Sequence, residues 1–167
     1  MKPDKITPDE AAREFWHHLG HGQTVMLGTE APGNHTQPMT AFAEEDVNLI
    51  WFFTRNDLAF ADEVARTPDG RLILMSRDQE VYADIRGTMS LTRDKTRIDK
   101  YWSPMVAAWY PDGKADPRLT LVRFVPEEGQ VWVSKQGLIR LAFQVAKANL
   151  THTTPDVGGV TSVTFPH

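Results

Sequence analysis

The sequence predicts a mainly β domain with flanking helices, an antiparallel sheet closed into a barrel. Three observations carry this. Seven short stretches rich in β-branched and aromatic residues alternate with turn chemistry. Most connections between them are hairpin-sized, too short for the crossovers of a parallel sheet. Helical spacing occurs at only four places, so strands and helices do not alternate.

The first element is a helix expected over 7–20. Thr7 caps it, Pro8 suits the first helical position and Glu10 completes a capping box. Ala11, Phe15 and Leu19 share a face, and Gly20 and Gly22 end the helix. Strands follow over 24–29 (TVMLGT), 36–44 (TQPMTAFAE) and 47–54 (VNLIWFFT). The turn Ala31-Pro32-Gly33-Asn34 joins the first two, and Glu45-Asp46 the next pair. Pro38 lacks a ladder donor, so its strand belongs at an edge, a bulge or a strand start.

Asp57 is placed to cap a helix through about residue 66, with Leu58, Ala61, Val64 and Ala65 at helical spacing. After the turn Pro68-Asp69-Gly70 come strands over 71–77 and 80–92, with Gly87 marking a bulge or a close backbone approach. Asp94 caps a helix over 95–102. Residues 103–117, with Pro104, Pro111, Gly113 and Pro117, read as loop. Strands over 118–125 and 130–134 precede a helix over 138–149 that Gly137 introduces. One domain is expected over 1–150, and the Thr-, Pro- and Gly-rich residues 151–167 read as an extended C-terminal tail.

Composition narrows the function classes. With 167 residues the chain is long enough for one core without disulfides or metal. There is no cysteine, which excludes disulfides, thiolate nucleophiles and cysteine-based metal sites, and fits a cytoplasmic protein. No apolar run approaches the roughly 20 residues of a membrane span, and Met1-Lys2-Pro3-Asp4-Lys5 is polar, unlike a signal peptide. A net charge of −4 argues against broad nucleic-acid binding. Five Trp and eight Phe are available to a core or to a flat-ligand site.

Motifs for phosphate loops, dinucleotide folds and serine nucleophile elbows are absent. His17, His18 and His21 cluster near the end of the first helix. His17 and His21 are spaced to share a face and bind a metal, but equally suit a helix C-terminus, where cations favour the dipole. No metal is assigned to them. Trp51-Phe52-Phe53-Thr54-Arg55-Asn56 ends a strand before a helix. That junction offers free N–H groups, Thr54, Asn56 and a charge at Arg55 to a phosphate, or is simply a core strand with a polar loop. Tyr101-Trp102-Ser103-Pro104 and Trp109-Tyr110-Pro111-Asp112-Gly113 would wall a flat-ligand pocket or pack on another subunit.

Taken in order, these segments resemble the general stress proteins of the pyridoxamine 5′-phosphate oxidase-like family, which are FMN-binding split β-barrels. Pro38-Met39-Thr40, Phe53-Thr54, Trp102-Ser103-Pro104, Trp109 to Gly113, Asp116 to Leu119, and Trp132 carry the resemblance, which covers residues 10–150. It implies a homodimer with flavin clefts between subunits, and an oxidoreductase activity of unknown substrate. It implies that Gln37, Pro38, Met39 and Thr40 line the flavin. Phe53 and Thr54 would lie near the rings and ribityl chain, Arg55 and Asn56 would begin a phosphate segment reaching Phe60, and Trp132 would meet the cofactor edge from either subunit. No catalytic residue stands out.

Three positions depart from the family pattern. Gln37 stands where an arginine is usual, and Leu58 and Phe60 where a serine and a lysine are usual. Losing two charged contacts would weaken FMN by about 3–6 kcal/mol, or roughly two to four decades. Arg55 or Arg86 is available to compensate. The alternative reading is a member that has lost FMN and binds another cofactor or serves as a non-catalytic dimer. True pyridoxamine 5′-phosphate oxidase activity is not expected, because the segment after Leu150 has no Arg or Lys.

Overall fold

The computed structural model describes residues 6–134, 138–153 and 159–166; for His21 and residues 138–144 it describes the backbone. Residues 1–5, 135–137 (with Gly137, expected to introduce the last helix), 154–158 and 167 lie outside the described residues. Helix α1 (Pro8–Leu19) opens the chain, with both halves of the Thr7/Glu10 capping box formed. Strands β1 (His21–Thr29), β2 (Gln37–Glu44) and β3 (Leu49–Arg55) follow, then α2 (Ala59–Arg66), β4 (Asp69–Met75) and β5 (Val81–Thr92). Helices α3 (Lys95–Tyr101) and α4 (Pro104–Ala107), the long strand β6 (Leu119–Val133), α5 (Leu138–Thr151) and β7 (Gly159–Thr164) complete it.

The strands run antiparallel in the order β3-β2-β1-β4-β5-β6, and β6 returns to pair with β3, which closes a six-stranded barrel. The fold is the split barrel the sequence led us to expect. Strand β6 is shared. Its first part, Leu119–Phe124, pairs with β3, and Glu128–Val133 pairs on the same edge with β7, while β5 lies along the other edge.

Several elements differ from expectation, each for a local reason. Strands expected over 118–125 and 130–134 are one. Gly87 pairs with Pro126 and Arg86 with Glu128, so Glu127 is an extra residue on β6. A bulge tolerates the missing N–H of Pro126, and the strand passes through it. Strand β4 starts at Asp69 because Asp69 and Gly70 already pair with Thr88 and Gly87. Strand β3 starts at Leu49, since Asn48 turns with φ 52° and its side-chain amide donates to the carbonyls of Pro126 (3.1 Å) and Pro166 (2.8 Å). Within 103–117, Ser103 caps α4 by accepting from the Val106 N–H at 3.2 Å, with Pro104 at the first helical position. Over Gly159–Thr164 the extended segment expected after residue 150 is a strand paired with β6.

Two apolar clusters hold the fold. The interior is filled by Leu27, Ile50, Phe52, Leu72, Ile85 and Phe124 among others. Helix α1 packs across β5, β6 and β7, where Phe15, Trp16 and Phe165 meet edge-on with centroids 5.3–5.8 Å apart. A second cluster lies outside the barrel wall. It joins Leu49 and Trp51 of β3 and Leu119 and Leu121 of β6 to Ile98, Tyr101, Val106 and Tyr110 of the α3–α4 segment. Among the described residues no helix is long and apolar enough to cross a membrane.

Candidate functional site

The barrel is split between β2 and β3. These strands pair only over Phe42–Glu44 and Leu49–Trp51. Beyond that point Gln37–Ala41 pair with β1, and Phe52–Arg55 with β6. Two strand edges therefore diverge, and Pro38 sits on the diverging edge, as its missing N–H predicts. Pro38 and Thr40 are exposed on the outer face; Ala41 and Ala43 fill the interior, and Met39 packs against it. The Gln37 amide donates to Met39 Sδ at 3.6 Å.

On the β3 side the outer face is aromatic. Phe53 meets Phe42 at 5.8 Å, and Trp102 and Tyr110 at 6.3 Å each. Trp102 and Tyr110 are 6.0 Å apart, and Phe42 stacks on Tyr101 at 4.8 Å. Thr54 alternates with Phe53 and is buried. Its carbonyl accepts the Tyr110 hydroxyl at 2.8 Å, and burial pushes that phenol up to about 12. This hydrogen bond ties the loop of prolines and tryptophans to the end of β3.

A single buried carboxylate fixes α3 behind the aromatic set. One oxygen of Glu44 accepts from Lys100 Nζ (3.0 Å) and Tyr101 OH (2.9 Å). The other accepts from Arg97 (3.1 Å) and Trp51 Nε1 (3.2 Å). Burial alone would raise the carboxyl pKa; the four donors outweigh it and hold Glu44 at about 2.

The end of β3 carries charge. Arg55 donates to Asp57 through Nε (2.9 Å) and NH2 (2.5 Å), which raises the arginine and lowers the aspartate. Asp57 therefore does not cap α2. Its N-cap is Leu58, with no side-chain cap. Asn56 donates from its backbone to the Arg118 carbonyl and from its side chain to that of Pro117, 2.8 Å each. Arg118 forks onto the fully buried Asp116 at 3.0 and 2.8 Å, and hydrogen bonds from Arg118 hold that carboxyl far below the usual range.

The structure thus brings Gln37, Pro38, Met39 and Thr40 to one side of the split and Phe53, Thr54, Arg55 and Asn56 to the other. It does not bring Trp132 there. Phe53 pairs with Leu121, and Trp132 lies eleven residues further along β6, about 36 Å at the usual strand rise. Phe60 is buried in the interior cluster, and Leu58 is exposed. Arg86 stands on β5, opposite Glu128 and separated from β3 by β6. Helix α1 ends at Leu19, so His21 belongs to β1 and does not share a helix face with His17. His18 instead turns its Nε2 to Asp78 at 3.1 Å, close to Glu80. A cavity of about 580 Å³ opens between α1 and the Glu44–Asp46 turn, and none of the predicted cofactor residues lines it.

Sequence comparison adds the family. The family described as pyridoxamine 5′-phosphate oxidase like matches residues 10–156. The chain belongs to that pyridoxamine 5′-phosphate oxidase-like family. A family member of known structure, general stress protein 26 from Jannaschia sp. CCS1, is 32% identical. The match covers 95% of this chain and 100% of that one, with a TM-score of 0.81. The general stress FMN/FAD binding protein from Xanthomonas citri is 35% identical over 78% of this chain and 93% of that one, with a TM-score of 0.69. A general stress family protein from Xanthomonas campestris pv. campestris is also 35% identical, over 80% and 93%, with a TM-score of 0.69. No curated protein matches the sequence.

Proposed function

We propose that this family member binds a flavin of the FMN type across the split, as a homodimer, and acts as an oxidoreductase. The divergence of β2 and β3 beside an aromatic surface carries the reading. It leaves strand edges free of each other, a short exposed run at Pro38 and Thr40, and an aromatic bank at Phe53 and Trp102, whose rings meet edge-on. Those features fit an isoalloxazine, with the β2 edge and Thr40 toward its polar rim. The bound flavin supplies hydride or electron transfer. Arg55 and the uncapped start of α2 form the end at which an anionic tail fits. The Xanthomonas citri relative, described as FMN/FAD binding, supports the same reading.

The test is the visible spectrum of freshly purified protein, with mass analysis of any released ligand, followed by FMN titration. Flavin absorbance, or saturable quenching of FMN fluorescence, is the expected result. Colourless protein that leaves added FMN fluorescence unchanged would favour the second reading, a dimeric binding protein that has lost FMN.

The homodimer has its own support. Met75, Tyr82, Trp132 and Val160 are successive cross-strand partners on β4, β5, β6 and β7. All four face outward, between 38% and 58% exposed. A contiguous apolar stripe of this kind marks an interface, and a second copy would also cover the open split. Trp132 would then reach a flavin only from the partner. Trp132→Glu is expected to weaken self-association at least about tenfold, as loss of a buried aromatic anchor does. Sedimentation equilibrium reads it; an unchanged dimer would move the interface elsewhere.

A further inference from the structure

The charges at the end of β3 say more about which flavin the site takes. Two guanidinium groups stand together there, Arg55 on β3 and Arg118 at the foot of β6, linked by the Asn56 N–H to Arg118 carbonyl bond at 2.8 Å. Each fork already holds a carboxylate two residues away in sequence, Asp57 on Arg55 and Asp116 on Arg118. The four groups sum to zero charge. The two pairs differ in what could release them. Asp116 is 0% exposed and also accepts the Arg118 backbone N–H at 2.9 Å, so Arg118 is committed to the fold. Asp57 is 42% exposed, lies in the loop before α2, and its carboxylate holds the Arg55 fork with only a local hydrogen bond from its own backbone N–H beside it. Arg55 is the guanidinium left for an anionic tail, and Asp57 occupies it in bidentate fashion, as a phosphate would.

We infer that Asp57 is a built-in competitor for the cofactor phosphate, a specificity-determining residue that removes most of the advantage FMN would have over riboflavin. The inference rests on the flavin reading above. A phosphate must displace Asp57 from Arg55 and then lie beside its negative charge. A ribityl chain ending in a hydroxyl meets neither obstacle. Gln37 and Leu58 add no cation, and the Phe60 ring is buried in the barrel. The consequence is a site that takes the neutral vitamin about as readily as the nucleotide.

The experiment is fluorescence-quenching titration of the full chain, wild type and Asp57→Asn, with riboflavin and with FMN. Wild type is expected to bind the two within about threefold of each other. In Asp57→Asn, FMN should tighten about tenfold, the effect of one freed charge-assisted contact, while riboflavin stays within about twofold. Equal changes for both ligands, or none, overturn the inference, because a merely structural role for Asp57 would move both alike. If the variant does not fold, the wild-type ratio decides, and FMN binding more than about thirtyfold tighter than riboflavin overturns it. Failure of wild type and variant to bind either ligand overturns the flavin reading itself, and the inference with it.

Discussion

Glu44→Ala is expected to destabilise the protein by about 3–5 kcal/mol, the range for removing one partner of a buried ionic network. The carboxylate is 5% exposed and accepts from Arg97, Lys100, Tyr101 and Trp51. Without it, Trp51 Nε1 loses its acceptor inside an apolar layer and the two cations of α3 lose theirs. A domain of ordinary stability has only about 5–15 kcal/mol in total. Urea unfolding reads the loss as a lower midpoint at unchanged slope. The same residue sets an acid limit. Its pKa falls from 4.5 unfolded to about 2 folded, so between those values the unfolded chain binds more protons. The stabilisation is therefore complete above about pH 4.5 and is lost as pH falls toward 2, a swing of about 3 kcal/mol. Glu44→Gln should flatten that part of the pH–stability curve. A variant curve parallel to wild type would show that Glu44 titrates normally.

Gly87→Val is the second large effect. A Cβ at Gly87 would lie 2.2 Å from the Val125 carbonyl oxygen and 2.9 Å from the Phe124 ring. The first obstacle is backbone, so β5 and β6 must separate at the bulge. Overpacking of this kind costs about 3 kcal/mol or more, which lowers the melting temperature by about 6–12 °C in a domain of this size. A circular dichroism melt checks it. A shift below about 2 °C would mean that the bulge absorbs the side chain.

Local chemistry made much of the fold legible. The capping box of α1, the edge position of Pro38 and the irregularity at Gly87 follow from residues within a few positions of each other. What escaped depends on a partner. Pro126 reads as a strand breaker until the register across from Arg86 and Gly87 is known. Asp57 has two local choices, the α2 amides or the Arg55 fork, and spacing does not decide between them. Ser103-Pro104 is a cap followed by a favourable first helical residue, a signal present in the sequence but outweighed by the surrounding prolines. Segment 159–164 buries only Val163 along its length, so its strand character depends on the edge of β6 it meets. For the site, both banks of the split were legible from Pro38-Met39-Thr40 and Phe53-Thr54-Arg55. The distance of Trp132 was not, because it depends on β6 being one unbroken strand.

The division of β6 between two neighbours has a consequence for behaviour at high concentration. Strand β3 leaves the second half of that edge without a barrel partner, and β7 covers it from Glu128 to Val133. An uncovered run there would present a ladder of open donors and acceptors to other molecules, the usual template for strand-by-strand aggregation. The outward side chains beside it, Trp132 and Val160, would favour such growth. Strand β7 takes up those donors and acceptors and becomes the outer edge itself, only six residues long, and a short edge is one way a fold limits strand-by-strand growth.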